Sequence, residues 1–195
     1  MFSTNIKSGD DYMKQYIHGT SYESAMNILQ NGFQDVEQKI WDCSGYGYMY
    51  FRDADSEEAQ FMAISNGQIA AAYTNSKETY IAVIVLEMSD ELSDEIFEED
   101  LSCENMYDCY QVEINTLNKF IASGDIKAKI QFFDEAYIPY LRPFYLNHIT
   151  NHMKISDKLL QDAIAVINRS DVYLEEIFDY GSLCDEVVIS PKGGK

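Results

Sequence analysis

The chain is poor in positive charge. Lys and Arg together number 14, against 33 Asp and Glu, for a formal net charge of −19 over 195 residues. A surface of that sign repels a phosphate backbone at long range, which argues against a general nucleic-acid binder and makes a basic protein partner easier to accommodate. Solubility alone would explain the charge equally well. Also absent is any apolar run near the roughly 18 residues of a membrane span. The longest, Ile81-Ala82-Val83-Ile84-Val85-Leu86, has the length of a buried strand. The opening "MFSTNIKSGDDYMKQ" has neither the basic segment nor the apolar stretch of a secretory signal, so a cytoplasmic protein with no membrane association is expected. The cysteines, Cys43, Cys103, Cys109 and Cys184, form no Cys-x-x-Cys pair. Free thiols in a reducing compartment are the simplest reading, and no metal site is expected from them. No internal repeat or low-complexity linker divides the chain, and a hydrophobic content of 46% is enough for a core. A single domain over 1–195 is expected.

Histidine is scarce as well, with three in all. His148 and His152 stand four apart in "LNHITNHMK", but Ile149 occupies the place where the zinc-protease pattern needs Glu, so they read as surface residues. His18 is different. It closes a short strand expected over 14–18 and is followed by Gly19 and by Thr20-Ser21-Tyr22-Glu23, which fits a capping box. Ala25, Ile28 and Leu29 then share one helical face, and Gly32 is placed to end the helix in a left-handed conformation. In "SGYGYMYFRD", residues 44–53, Tyr46, Tyr48 and Tyr50 alternate at strand period. Asp55 or Ser56 can cap a second helix, expected to close at Gly67. Residues 79–88 form the strongest strand, "SDELSDEIFEED" an acidic helix or loop, 156–171 an amphipathic helix and 184–190 a late strand. Pro139 and Pro143 interrupt the aromatic-rich part of 110–150, where broken helix and loop are expected. Strands and helices mix without regular alternation, which favours α+β over a doubly wound sheet.

Three of these segments carry a resemblance. His18-Gly19-Thr20 with its helix ending in "NGF", then "GYGYMYFRDADSEEAQF", then "CDEVVI", resemble in order the motifs of the ADP-ribosyltransferase superfamily on its diphtheria-toxin and poly(ADP-ribose) polymerase side. The resemblance implies a split β-sandwich with flanking helices and a helical or irregular insertion around 90–180. It implies NAD⁺ as substrate, catalytic His18, Tyr50 and Glu186, and NAD⁺ contacts from His18, Gly19, Thr20, Tyr50 and Phe61. In that family the His bonds a ribose hydroxyl, the Gly offers its backbone to the nicotinamide amide, and the Tyr stacks on the nicotinamide ring. The Glu stabilises the oxocarbenium-like ribose and serves as base. Phe61 keeps the ring of the family's second stacking Tyr without its hydroxyl.

Two departures matter. Glu58 stands where the polymerases have the Ser that bonds the nicotinamide amide. Cys184 stands two residues before Glu186, where arginine-directed relatives have Glu and some others Gln.

The residues themselves leave alternatives. Tyr46 and Tyr48 compete with Tyr50, Asp185 with Glu186, and Phe61 could be plain core. The function expected is mono-ADP-ribosyl transfer to a macromolecule, protein being slightly favoured over nucleic acid, by a toxin, phage-conflict or defence effector. A neutralising antitoxin or other basic partner would fit its surface. An NAD⁺ glycohydrolase and a non-catalytic acidic binding or inhibitor module are the competing readings.

Overall fold

The computed structural model describes residues 13–35, 47–55, 57–73, 76, 80–99, 109–134 and 183–189; within α2 the described side chains are those of 59 and 63–71. The elements run β1 (Met13–Ser21), α1 (Tyr22–Asn31), β2 (Tyr48–Asp53), α2 (Glu57–Tyr73), β3 (Tyr80–Ser89), α3 (Asp90–Ile96), β4 (Glu98–Glu99), β5 (Cys109–Glu113), α4 (Ile114–Ser123), β6 (Lys127–Asp134) and β7 (Leu183–Val188). The protein is α+β. Its strands form one antiparallel sheet in the order β4-β5-β2-β1-β3-β6-β7.

Two layers of helix cover this sheet. On one face the alternating Tyr16, Ala82, Ile84, Leu86, Ala128, Ile130 and Phe132 meet Ala25 and Ile28 of α1, Ile96 of α3 and Leu117 and Ile121 of α4. Spacing at i, i+3 and i+7 in Ile114, Leu117 and Ile121 gives α4 its buried stripe. Tyr16 anchors this face: its ring stacks on Phe97 with centroids 4.3 Å apart, and its hydroxyl lies 2.5 Å from Ser93 Oγ. The carboxamide of Asn118 on α4 clasps Phe33, accepting from its N–H at 3.0 Å and donating to its carbonyl at 2.8 Å. On the other face α2 lies across β1. Its residues 63–71 are buried all round, three of them (Ser65, Asn66 and Gln68) polar.

Several expectations need correction. β1 runs on to Ser21, so the helix starts one residue late and Ser21, not Thr20, is the cap, its Oγ accepting from Ser24 N at 3.2 Å. Glu23 does not close a box; it accepts from Ser76 Oγ at 2.7 Å. Gly32 does end α1, at φ 75° with its N–H on Ile28 O. Gly67 does not end α2, which continues to Tyr73. A Cβ there would stand 3.1 Å from Ile81 Cβ and 3.3 Å from Thr20 O, so this glycine serves helix-to-sheet contact rather than capping.

The largest correction concerns 110–134, expected to be broken helix and loop. It holds β5, α4 and β6, and β6 lies inside the sheet between β3 and β7. The part of the supposed 90–180 insertion that is described is therefore integral to the core. The expected helix at 156–171, Tyr46, Cys43, Cys103, His148 and His152 lie outside the described residues. No described helix is long and apolar enough to cross a membrane.

Candidate functional site

The seam between β1 and β2, in the middle of the sheet, is short. β1 pairs with β3 along its whole length, from Met13↔Ser89 to Ser21↔Ile81. With β2 it pairs only at Tyr16↔Asp53 and Ile17↔Arg52, and a bond from Ala54 N to Gln15 O at 2.9 Å closes that end. Beyond Ile17 both strands continue unpaired to each other, β1 through His18 to Ser21 and β2 back through Tyr50 to Tyr48. The sheet thus parts into a fork, with one wing of β4, β5 and β2 and another of β1, β3, β6 and β7.

His18 and Tyr50 meet at the throat of this fork. Alternation puts the His18 side chain on the face of Tyr16 and the Tyr50 side chain on the other. They come together because the ladder has ended, letting the imidazole turn into the gap. Its Nδ1 lies 3.0 Å from the Tyr50 carbonyl oxygen, and the rings meet edge to face with centroids 5.2 Å apart. A carbonyl can only accept, so Nδ1 carries the proton and Nε2 is left as a lone pair able to accept a hydroxyl hydrogen. Tyr50 is buried, and the buried Arg52 guanidinium carbon lies 5.5 Å from its ring centroid. Burial first, and then the positive charge of Arg52, lower the His18 pKa to about 4.

That shift has a consequence for stability. The unfolded chain takes up a proton at His18 near pH 6.5, whereas the folded chain does so only near pH 4. Between those values the unfolded state binds more protons, so acid favours it. The contribution is absent above pH 7 and grows on acidification to an order of 3 kcal/mol. Wild type should therefore lose more stability than His18→Gln on going from pH 7 to pH 4.5. Urea midpoints of both proteins at both pH values check this; a constant difference between the two would contradict it.

Gly19 and Thr20 follow on β1, both buried. The glycine is needed for a reason the sequence did not show. A Cβ at Gly19 would lie 1.6 Å from the Ala63 carbonyl oxygen, so the absence of a side chain lets α2 seat directly on β1. Phe61 and Glu58 fall within α2, with side chains outside those described.

Glu186 does not join His18 and Tyr50. Across the sheet it is paired with Gln131, Gln131 with Val83, and Val83 with Gly19, so three strand spacings, about 14 Å, separate it from β1. The cause is topological: β3 and β6 both intervene. Its carboxylate sits on the exposed far wing, accepting from Gln131 Nε2 at 2.9 Å and paired with Lys129 Nζ at 3.0 Å. Partial burial works to raise its pKa, but those two hydrogen bonds prevail and hold it below the usual carboxylate value. Asp185, the alternative, pairs with Phe132 on the opposite face of the same strand.

A different carboxylate adjoins the fork. β5 pairs with β2 so that Gln111 is opposite Tyr50 and Glu113 opposite Tyr48, and directly paired residues share a face. Glu113 is thus one step from Tyr50 toward the open end. It is exposed and accepts from Thr116 Oγ1 at 2.7 Å. Gln111 donates to Glu98 Oε2 at 3.3 Å. The signal that would have found them is "QVE", a Gln two residues before a Glu in a short alternating stretch. Among the described residues no cluster of His, Cys, Asp and Glu could hold a metal ion. No family model, no curated protein and no solved structure matches the chain.

Proposed function

We propose that the protein is an NAD⁺-dependent mono-ADP-ribosyltransferase with an ADP-ribosyltransferase-like split sheet, and that the β1–β2 fork is its site. The observation that carries this reading is the meeting of His18 and Tyr50 where the ladder ends, beside a strand that bears Gln111 and Glu113. The chemistry suits these groups. The Nε2 lone pair of His18 accepts from a ribose hydroxyl and fixes the sugar. Tyr50 supplies an aromatic wall for nicotinamide. The C1′–N bond breaks with its electron pair passing to the pyridinium nitrogen, and nicotinamide leaves neutral. Positive charge then grows on the ribose, where a nearby carboxylate stabilises it. The acceptor forms its bond at C1′ and passes its proton to the same carboxylate.

The carboxylate of this reading is Glu113 rather than Glu186. Its Gln-x-Glu setting is also the one that some members of the resembled family carry. A net charge of −19 favours a protein acceptor over nucleic acid.

The test is incubation with NAD⁺ labelled in its adenylate part, together with cell lysate, followed by separation of protein, RNA, DNA and free ADP-ribose. Label in the protein fraction is expected. Label released only as free ADP-ribose, with or without lysate, would make the protein a glycohydrolase instead.

The contact of Ala63 with Gly19 favours a second reading, an acidic binding module for a basic partner, because it accounts for the glycine with no ligand. Tight capture of a basic protein with no heat of NAD⁺ binding would support that reading and overturn the first.

A further inference from the structure

We propose that Asn66 on α2 is the residue that reads a primary carboxamide in the fork; this rests on the reading of the fork as an NAD⁺ site. Asn66 is 3% exposed, yet among the described residues neither its Oδ1 nor its Nδ2 has a hydrogen-bond partner. Leaving both ends of a buried amide unsatisfied is costly, and native proteins rarely do so without a use for the group. Its position supports a use. α2 lies over β1 with Ala63 against Gly19, the residue after His18. Four residues on, a Cβ at Gly67 would meet Ile81 of β3 at 3.1 Å, ahead of Thr20 O of β1 at 3.3 Å, so this residue lies on the β3 side of the stripe. Successive helical residues are rotated by about 100°, which turns Asn66 away from Gly67 to the opposite flank of this stripe. The opposite neighbour of β1 is β2, and the flank facing it is where the fork opens.

An amide with one acceptor and two donors free is complemented by a group that presents both a donor and an acceptor in one plane. A primary carboxamide does this; a carboxylate, which only accepts, does not. Asn66 would then supply the side-chain contact that Glu58 cannot be assigned. Both amide atoms are closed to solvent, so a ligand reaches them only when the two wings part. The β1–β2 seam, held by two paired positions, is where they can.

Calorimetry on the full chain tests this with nicotinamide, nicotinic acid and NAD⁺ as probes, against wild type, Asn66→Leu and the near-isosteric Asn66→Asp. Wild type is expected to bind nicotinamide at least tenfold more tightly than nicotinic acid. Both variants should weaken nicotinamide and NAD⁺ at least tenfold, with the thermal midpoint of Asn66→Leu within a few degrees of wild type, since it leaves no unpaired polar group at that position in the core. Unchanged NAD⁺ affinity in both variants overturns the role of Asn66 and leaves the NAD⁺ site standing. Nicotinamide bound through Asn66 with no binding of NAD⁺ supports the carboxamide site and overturns the NAD⁺ reading. Binding of neither to wild type overturns both.

Discussion

Gly19→Ala is expected to destabilise the protein by about 3 kcal/mol, a large part of the stability of a chain this size. The added methyl would meet three backbone atoms of Ala63, its O at 1.6 Å, its C at 2.5 Å and its Cα at 3.0 Å. No rotamer change can relieve a clash with backbone, so α2 must lift from β1 and open the interface behind it. Gly67→Ala is a useful contrast. There the nearest contacts are Ile81 Cβ at 3.1 Å and Thr20 O at 3.3 Å, which a small shift of α2 relieves, and alanine also favours the helix. It should cost well under half as much. Urea unfolding of the three proteins measures both effects. A loss below 1 kcal/mol for Gly19→Ala would mean that α2 is not seated on β1 as described.

Glu113→Gln is expected to lower ADP-ribosyl transfer by about 10² to 10³, the scale seen when a single charge-stabilising group is removed from a transition state. The fold should persist, because Glu113 is exposed and its side chain makes no capping bond to α4. Glu186→Gln should retain most of the activity. Its carboxylate serves an ion pair with Lys129, with side chains 34% and 40% exposed, and such surface pairs contribute little. The contrast is informative because the two glutamates lie on the same face of the sheet but on opposite wings.

Much of the local structure was legible in the chain. An unbroken apolar run of strand length, Ile81–Leu86, marked β3, and an apolar stripe closed by Gly32 marked α1, because those patterns depend on neighbours in sequence. Gly67 was misread, and the packing role of Gly19 went unseen, for the opposite reason: each is small to admit something distant, Ala63 for Gly19 and Ile81 for Gly67. β5 and β6 were missed because Pro139 and Pro143, which break the later part of 110–150, lie beyond 134 and constrain nothing within 109–134. β5 is also only five residues long. The meeting of His18 with Tyr50 followed from motifs, but the place of the carboxylate depended on strand order. Nothing in "CDEVVI" shows that its strand pairs with β6 rather than β2, and nothing in "QVE" shows the reverse.

The most direct measurement is transfer of label from NAD⁺ to lysate protein by wild type, Glu113→Gln and Glu186→Gln side by side. Strong labelling by wild type and Glu186→Gln, with almost none by Glu113→Gln, is the expected result. Labelling kept by Glu113→Gln and lost by Glu186→Gln would contradict a site in the β1–β2 fork.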